Sequence, residues 1–455
     1  MSHASAHHAD FSESNIRLGS AGMTIQTAAG LIGMVGLGAS AVIGFTGMFG
    51  VDHTYFLKSW MQNYLFVLCI SLGAFFFVFI QHLTRAGWSS TVRRPAEIIA
   101  ANLQWAWVGL VPVALLWIVG SGSGHGDGHE LVNPSEGWGP GTLFPWADMA
   151  WMEHHNKAEY DLVSQKSAYL NSSFFWARCI FYVLFWGLAS RWFFRTSLEQ
   201  DRTGDVRLTQ KMQMMAAPTT LLFGVTVSFA AIDWIMSLSP AWFSTMFGVY
   251  FFTGSATCGF AMIILVLIRL QEAGRMKGLV TKEHYQDLGK LLFAFGMVFW
   301  AYIGFSQYML IWYANIPEET GWFLARQIGG WAPLSLALLF GHFCIPFVAL
   351  ISKWPKRIRW SLMGAALWML AFGWLDTFWL VMPVVPEDIY NAKSYMEVIE
   401  SHSGDSSNIT NPINFTMLAG FAGFYVWLTM RRMRTVPVVA ERDPRIQEGL
   451  SFENQ

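Results

Sequence analysis

Ten separate stretches of this chain are apolar for about as long as a lipid bilayer is thick, and that feature limits the fold more than any other. A hydrocarbon core about 30 Å across takes about 20 helical residues. The stretches run over residues 26–49, 60–83, 98–119, 174–194, 218–238, 242–267, 291–313, 328–351, 360–381 and 413–429. Backbone polar groups in lipid must be satisfied within the segment, which leaves helices or a closed barrel. Barrel strands are about ten alternating residues long, so runs this continuous predict helices. Only 13% of the 455 residues are charged, against roughly 25% in soluble domains. With 37 Phe and 23 Trp, the apolar surface is more than a soluble fold of this length can hide. A net charge of −1 argues against nucleic-acid binding through bulk charge. The sequence therefore predicts an all-α, polytopic membrane protein with ten transmembrane helices.

Orientation follows from Lys and Arg, which favour cytoplasmic loops. Placing both termini in the cytoplasm puts 23 of the 29 basic residues there. Arg85, Arg93, Lys277, Lys282, Arg357 and Arg359 are among them, whereas the outer loops keep Lys58, Lys157, Lys166, Arg326 and Lys393. Residues 1–25 and 431–455 are then cytoplasmic tails around a membrane domain over 26–430. The long outer loops cover 120–173 and 383–412. His3, His7 and His8 read as part of a mobile polar tail. The tract with His125, Asp127 and His129 reads as a Gly-rich solvated loop. The acidic and aromatic outer loops suit a docking surface for extracytoplasmic proteins. Cys69, Cys179, Cys258 and Cys344 lie in apolar runs without a CxxC pair, so no cysteine-bound metal is expected. A phosphate-binding glycine loop is absent too.

Ionisable groups inside a span are costly and usually mark a function. Asp233 in span five and Asp376 in span nine stand at matching depths, each with Pro seven residues on, at Pro240 and Pro383. Spans five and nine are four apart and point the same way. This suggests an internal repeat, with spans 2–5 and 6–9 forming two four-helix bundles. A buried carboxylate away from positive charge can hold and release a proton near neutral pH, or bond a quinone oxygen. The same groups would also serve as protonated caps to neighbouring backbone. His342, midway along span eight, is either a proton carrier or a satisfied interior histidine. It has no facing histidine with which to hold a haem. Gln307 and Tyr308, with Tyr302 nearby, can line a polar path in the outer half or simply pack. Arg178 is expected to snorkel or to pair with an acid such as Asp233. Glu97 and Asn102 are candidates for proton entry at the cytoplasmic side.

Three stretches carry a resemblance. They are Ser228–Gly254 around Asp233-Trp-Ile-Met-Ser-Leu-Ser-Pro240, Tyr169–Arg178, and Phe305–Thr320 around Gln307-Tyr308. The chain resembles, over nearly its whole length, the NrfD-like membrane subunits of bacterial alternative complex III, most closely the second, ActF type. That resemblance implies a multi-pass subunit of an inner-membrane quinol:acceptor oxidoreductase without a redox centre of its own. Its implied partners are a multihaem cytochrome c, an iron–sulfur protein, a monohaem cytochrome c and a sister NrfD-like subunit. It implies quinone, with menaquinone the expected kind, and no metal or covalently bound cofactor. The role implied is quinone binding, proton transfer or scaffolding, with Asp233 as the family's membrane aspartate. A proton-coupled secondary transporter is the competing reading, since paired repeats and membrane carboxylates suit it as well.

Overall fold

The computed structural model describes residues 10–120, 138–386 and 395–454. Among these residues there is no strand, and ten helices are long and apolar enough to cross a membrane. They are α1 (Met23–Thr46), α2 (His53–Leu83), α3 (Arg93–Val119), α4 (Ser172–Thr203), α5 (Val206–Leu238), α6 (Phe247–Glu272), α7 (Lys282–Ala314), α8 (Trp331–Leu350), α9 (Arg359–Val381) and α10 (Pro412–Met433). The number of apolar runs and their order agree with the sequence reading. The helix ends do not, because hydropathy measures the bilayer whereas capping groups stop the helix. Asp52 accepts from the Tyr55 amide at 2.6 Å and starts α2 seven residues before its apolar run. Asn171 and Asp205 start α4 and α5 in the same way. Gly204, in the left-handed region at φ 72°, ends α4 well past its apolar part. At 32 residues, α4 is about 48 Å long and extends beyond a bilayer core.

The centre belongs to α2 and α6. In its most apolar window α2 is 89% buried and α6 78%, against 28% for the peripheral α8. Glycine sets their separation: a Cβ on Gly73 would lie 2.0 Å from the Ser255 carbonyl oxygen. Phe75, Phe76, Phe223, Phe252 and Phe295 stack edge to face around this crossing. The glycines of α1 have the same use against α10. A Cβ on Gly36 would stand 2.5 Å from the Gly420 amide nitrogen, and one on Gly423 2.4 Å from that of Gly33.

Within the described residues the segments flanking the spans pack onto the bundle. Ile16, Leu18, Val438 and Val439 are buried. The Val438 amide donates to the Ile16 carbonyl at 2.8 Å, and the Met276 amide to that of Asn15 at 2.9 Å. Beneath them Arg93 pairs with Glu97 at 3.0 Å and Asp443 at 2.5 Å, while Arg94 forms ion pairs with Glu97 at 2.9 Å and Asp201 at 2.6 Å. We call this end the tail face. At the opposite, loop face, Phe144 and Trp146 fold onto Trp117 and Phe175. His3, His7, His8, His125, Asp127, His129, Glu387 and Asp388 lie outside the described residues.

Candidate functional site

Near the loop face, α6, α7, α8, α9 and the short helix Pro317–Leu324 enclose a cavity of about 870 Å³. Its wall is mainly apolar and aromatic, with Phe247, Phe305, Leu339 and Phe343. Tyr250, Trp300, Gln307, Tyr308 and Arg326 supply the polar groups. Tyr302 and Phe305 on α7 and Leu336 on α8 face outward at its rim, so the cavity adjoins the lipid-facing surface between these helices.

Both helices bordering that rim contain a π-helical segment, residues 294–299 in α7 and 338–344 in α8. A π turn removes the normal i→i−4 register and leaves backbone groups for other partners. His342 uses one of them: its Nε2 lies 3.1 Å from the Gly296 carbonyl oxygen, which fits the Nε2–H tautomer. The imidazole also stacks on Trp300, with ring centroids 4.0 Å apart and planes 5° from parallel. His342 thus ties the two π segments together immediately behind the cavity wall.

Trp300 continues the connection to Asp376. Its indole N–H donates to Asp376 Oδ2 at 3.3 Å, and the Tyr250 hydroxyl donates to Oδ1 at 2.6 Å. The carboxyl group is buried, and no cation pairs with it among the described residues. Tyr250 and Trp300 also line the cavity, so Asp376 lies one side chain behind the wall. Gln307 is buried in the same wall, and its Oε1 has no hydrogen-bond partner. Tyr308 reaches the cavity with its ring edge-on to Phe323 at 5.3 Å.

Arg326 entered the sequence reading only as an outer-loop cation, yet it is 2% exposed and lines the cavity. Three backbone carbonyls hold its guanidinium: Trp322 at 2.8 Å, Leu380 at 3.0 Å and Trp379 at 3.1 Å. These carbonyls belong to the C-terminal turns of two helices, whose negative dipole ends favour a cation. The group also lies 3.3 Å from the centroid of the Trp322 ring. Burial pushes its pKa down from the ordinary value, with Tyr250 opposing. A guanidinium keeps its charge in proteins even so. One cavity wall is therefore positively polarised without a carboxylate to neutralise it.

Asp233 and Arg178 lie in a different place and line no part of this cavity. Arg178 grips Asp233 bidentately, Nε to Oδ2 at 2.8 Å and Nη2 to Oδ1 at 2.7 Å. The Tyr182 hydroxyl adds a third bond at 2.8 Å. Arg178 is further held by the Tyr169 carbonyl oxygen at 3.1 Å and between the rings of Tyr169 and Phe174. The two aspartates that look equivalent in sequence therefore differ electrically: Asp233 is an ion-paired clamp between α4 and α5, and Asp376 has only neutral partners. Glu97 and Asn102 are also committed, Glu97 to two arginines and Asn102 to Thr429 at 2.7 Å and Arg432 at 2.8 Å. Both side chains are buried.

Neither a known protein family nor a curated protein matches the sequence.

Proposed function

We propose that this chain is a membrane subunit of a quinol:electron-acceptor oxidoreductase, of the NrfD-like kind found in alternative complex III. In this reading α2–α5 and α6–α9 are two related bundles, both termini are cytoplasmic, and the loop face points out of a bacterial inner membrane. The supporting observation is the lipid-bordered cavity with Asp376 directly behind its wall. Its size suits a drug-sized or cofactor-sized ligand, and a few polar groups in an apolar wall are what orient one. A quinone has two carbonyl oxygens and an apolar tail. Arg326 and Tyr308 are donors suited to those oxygens, and the unpartnered Gln307 Oε1 is suited to a hydroxyl of the reduced form.

Quinol supplies electrons and protons when bound; the chain's own groups handle only the protons. Tyr250 has its hydroxyl on Asp376 and its ring in the cavity wall. A proton arriving at Tyr250 passes along that 2.6 Å bond to the carboxylate as the hydroxyl proton is handed on. Arg326, held at the loop-face end of α9, disfavours a proton kept beside it. Electrons leave to a multihaem cytochrome c, an iron–sulfur protein, a monohaem cytochrome c or the sister subunit, since this chain has no redox centre in this reading.

Photolabelling of the intact complex in its own membrane with an azidoquinone tests the proposal. The expected result is label on α7 or α8 near Phe305 or Leu339, together with turnover lowered roughly a hundredfold in Tyr250→Phe, the scale of a lost proton-transfer group. Label confined to other subunits overturns quinone binding here. Wild-type turnover in Tyr250→Phe overturns the proton route.

A further inference from the structure

A second pocket lies at the tail face, in the angle between the end of α6, the start of α7 and the start of α9. Its volume is about 630 Å³, and Lys277, Lys282, Arg357 and Arg359 line it together with Thr281 and Tyr285. Among the described residues one of the four cations is ion-paired, Arg357 with Glu283. Arg359 donates one N–H to Gln271 Oε1 at 3.1 Å, and the Tyr285 hydroxyl donates to the same oxygen at 2.9 Å. Gln271 in turn donates to the Val280 carbonyl at 2.8 Å. The floor is thus built and fixed, while Lys277 and Lys282, both exposed, line the pocket from the connection into α7. Thr281 caps α7 and accepts from the Glu283 amide at 3.3 Å, so the positive end of that helix dipole adds to the field.

The neighbouring surface is apolar. Ile351, Trp354, Ile358 and Trp360 are 54–70% exposed and follow one another between the end of α8 and the start of α9. Tryptophans at the end of a spanning helix mark headgroup depth. Lys353 lies 5.7 Å from the Trp354 ring centroid, a further sign of an interfacial belt. A concentrated positive pocket beside such a belt matches one ligand chemistry, a phosphate ester with acyl chains attached.

We propose that this pocket is a binding site for the headgroup of an anionic phospholipid of the tail-face leaflet. Lys277, Lys282 and Arg359 hold the phosphate, and the belt of Ile351, Trp354, Ile358 and Trp360 receives the chains. The proposal rests on the basic pocket and its surroundings, independently of any quinone chemistry.

The experiment is native mass spectrometry of the full-length protein, purified in its complex and delipidated. It is then titrated with cardiolipin, phosphatidylglycerol, phosphatidylcholine or inorganic phosphate. The variant carries Lys277→Gln, Lys282→Gln and Arg359→Gln, all at exposed positions, with Arg357 left on Glu283. Wild type is expected to retain cardiolipin or phosphatidylglycerol in preference to phosphatidylcholine. The triple variant is expected to lose that preference by on the order of a hundredfold, the sum of three interfacial cations. Equal retention of anionic lipid by the variant overturns the site. Saturation by inorganic phosphate that blocks lipid addition assigns the pocket to a free anion and overturns the lipid.

Discussion

Replacing Asp233 by Asn keeps the side-chain shape and removes its charge, which separates a clamp from a proton carrier. The carboxylate accepts three hydrogen bonds, two from Arg178 and one from Tyr182, in a site with no solvent exposure. Asn keeps one oxygen and turns an NH2 toward a guanidinium that has only donors. With that oxygen in the Oδ2 position one Arg178 bond is lost, about 1.5–3 kcal/mol for a charged bond, and the guanidinium is left without its counter-charge. Breaking one side of a buried ion pair costs about 3–5 kcal/mol by an independent route. The expectation is therefore a loss of about 3–5 kcal/mol for Asp233→Asn and a similar loss for Arg178→Met. Asp233→Leu combined with Arg178→Met should recover most of it, because no buried charge remains and the groups left without their partner are the neutral Tyr182 hydroxyl and Tyr169 carbonyl. Reversible unfolding in mixed micelles of mild detergent and dodecyl sulfate, followed by circular dichroism, measures all three. Stability within about 1 kcal/mol of wild type for Asp233→Asn, together with lost proton release in liposomes, would refute the clamp and make Asp233 a proton carrier.

Two further outcomes concern the tail face and the crossing of α1 with α10. Burial raises the pKa of Asp443, but the Arg93 charge and hydrogen bond and the Arg445 amide outweigh it, and the net pKa is lowered. Its contribution to tail docking is thus complete above the unfolded carboxylate value of about 4 and is lost only as pH falls through the lowered folded value. Protease protection of residues 434–454 should accordingly stay constant from pH 8 to about 5 and fail only in stronger acid; loss of protection near pH 6 would contradict this. Gly36→Leu places a branched side chain where even a Cβ comes 2.5 Å from Gly420, so α1 should separate from α10. Cysteine cross-linking between the two helices should drop severalfold, and unchanged cross-linking would count against the glycine interface.

What could be read in the sequence and what could not divide along physical lines. The spans were legible because bilayer thickness dictates a length and a composition that few other structures require. Helix ends were not, because Asp52, Asn171 and Gly204 act through single hydrogen bonds or one backbone angle that hydropathy averages away. Gln307, Tyr308, His342 and Asp376 stood out as polar groups in apolar runs, and the structure gathers all four in or behind one cavity wall. Asp233 shares the Asp-to-Pro spacing of Asp376 but not its surroundings, since the cation that pairs with it comes from another helix. Arg326 was hidden by its place in a loop. The nearest signal was its position between Trp322 and Trp331, bulky neighbours unusual for a solvated turn. That its charge rests on the carbonyl ends of two helices depends on how α9 and the Pro317–Leu324 helix converge, which no local pattern encodes.

The ionic cluster at the tail face also has a consequence for biogenesis. Arg93 and Asp443 are 350 residues apart, so the arginine enters the assembly long before its acid emerges from the ribosome. Until then Arg93 has only Glu97, which it shares with Arg94. Water must therefore remain at this end of the nascent bundle while the later spans insert. Arrival of the C-terminal segment expels that water and seals the base, with Val438 on Ile16 as the final stitch. The ionic cluster at this base is therefore complete only after the last span has been made, which ties the chain's final segment to its third helix.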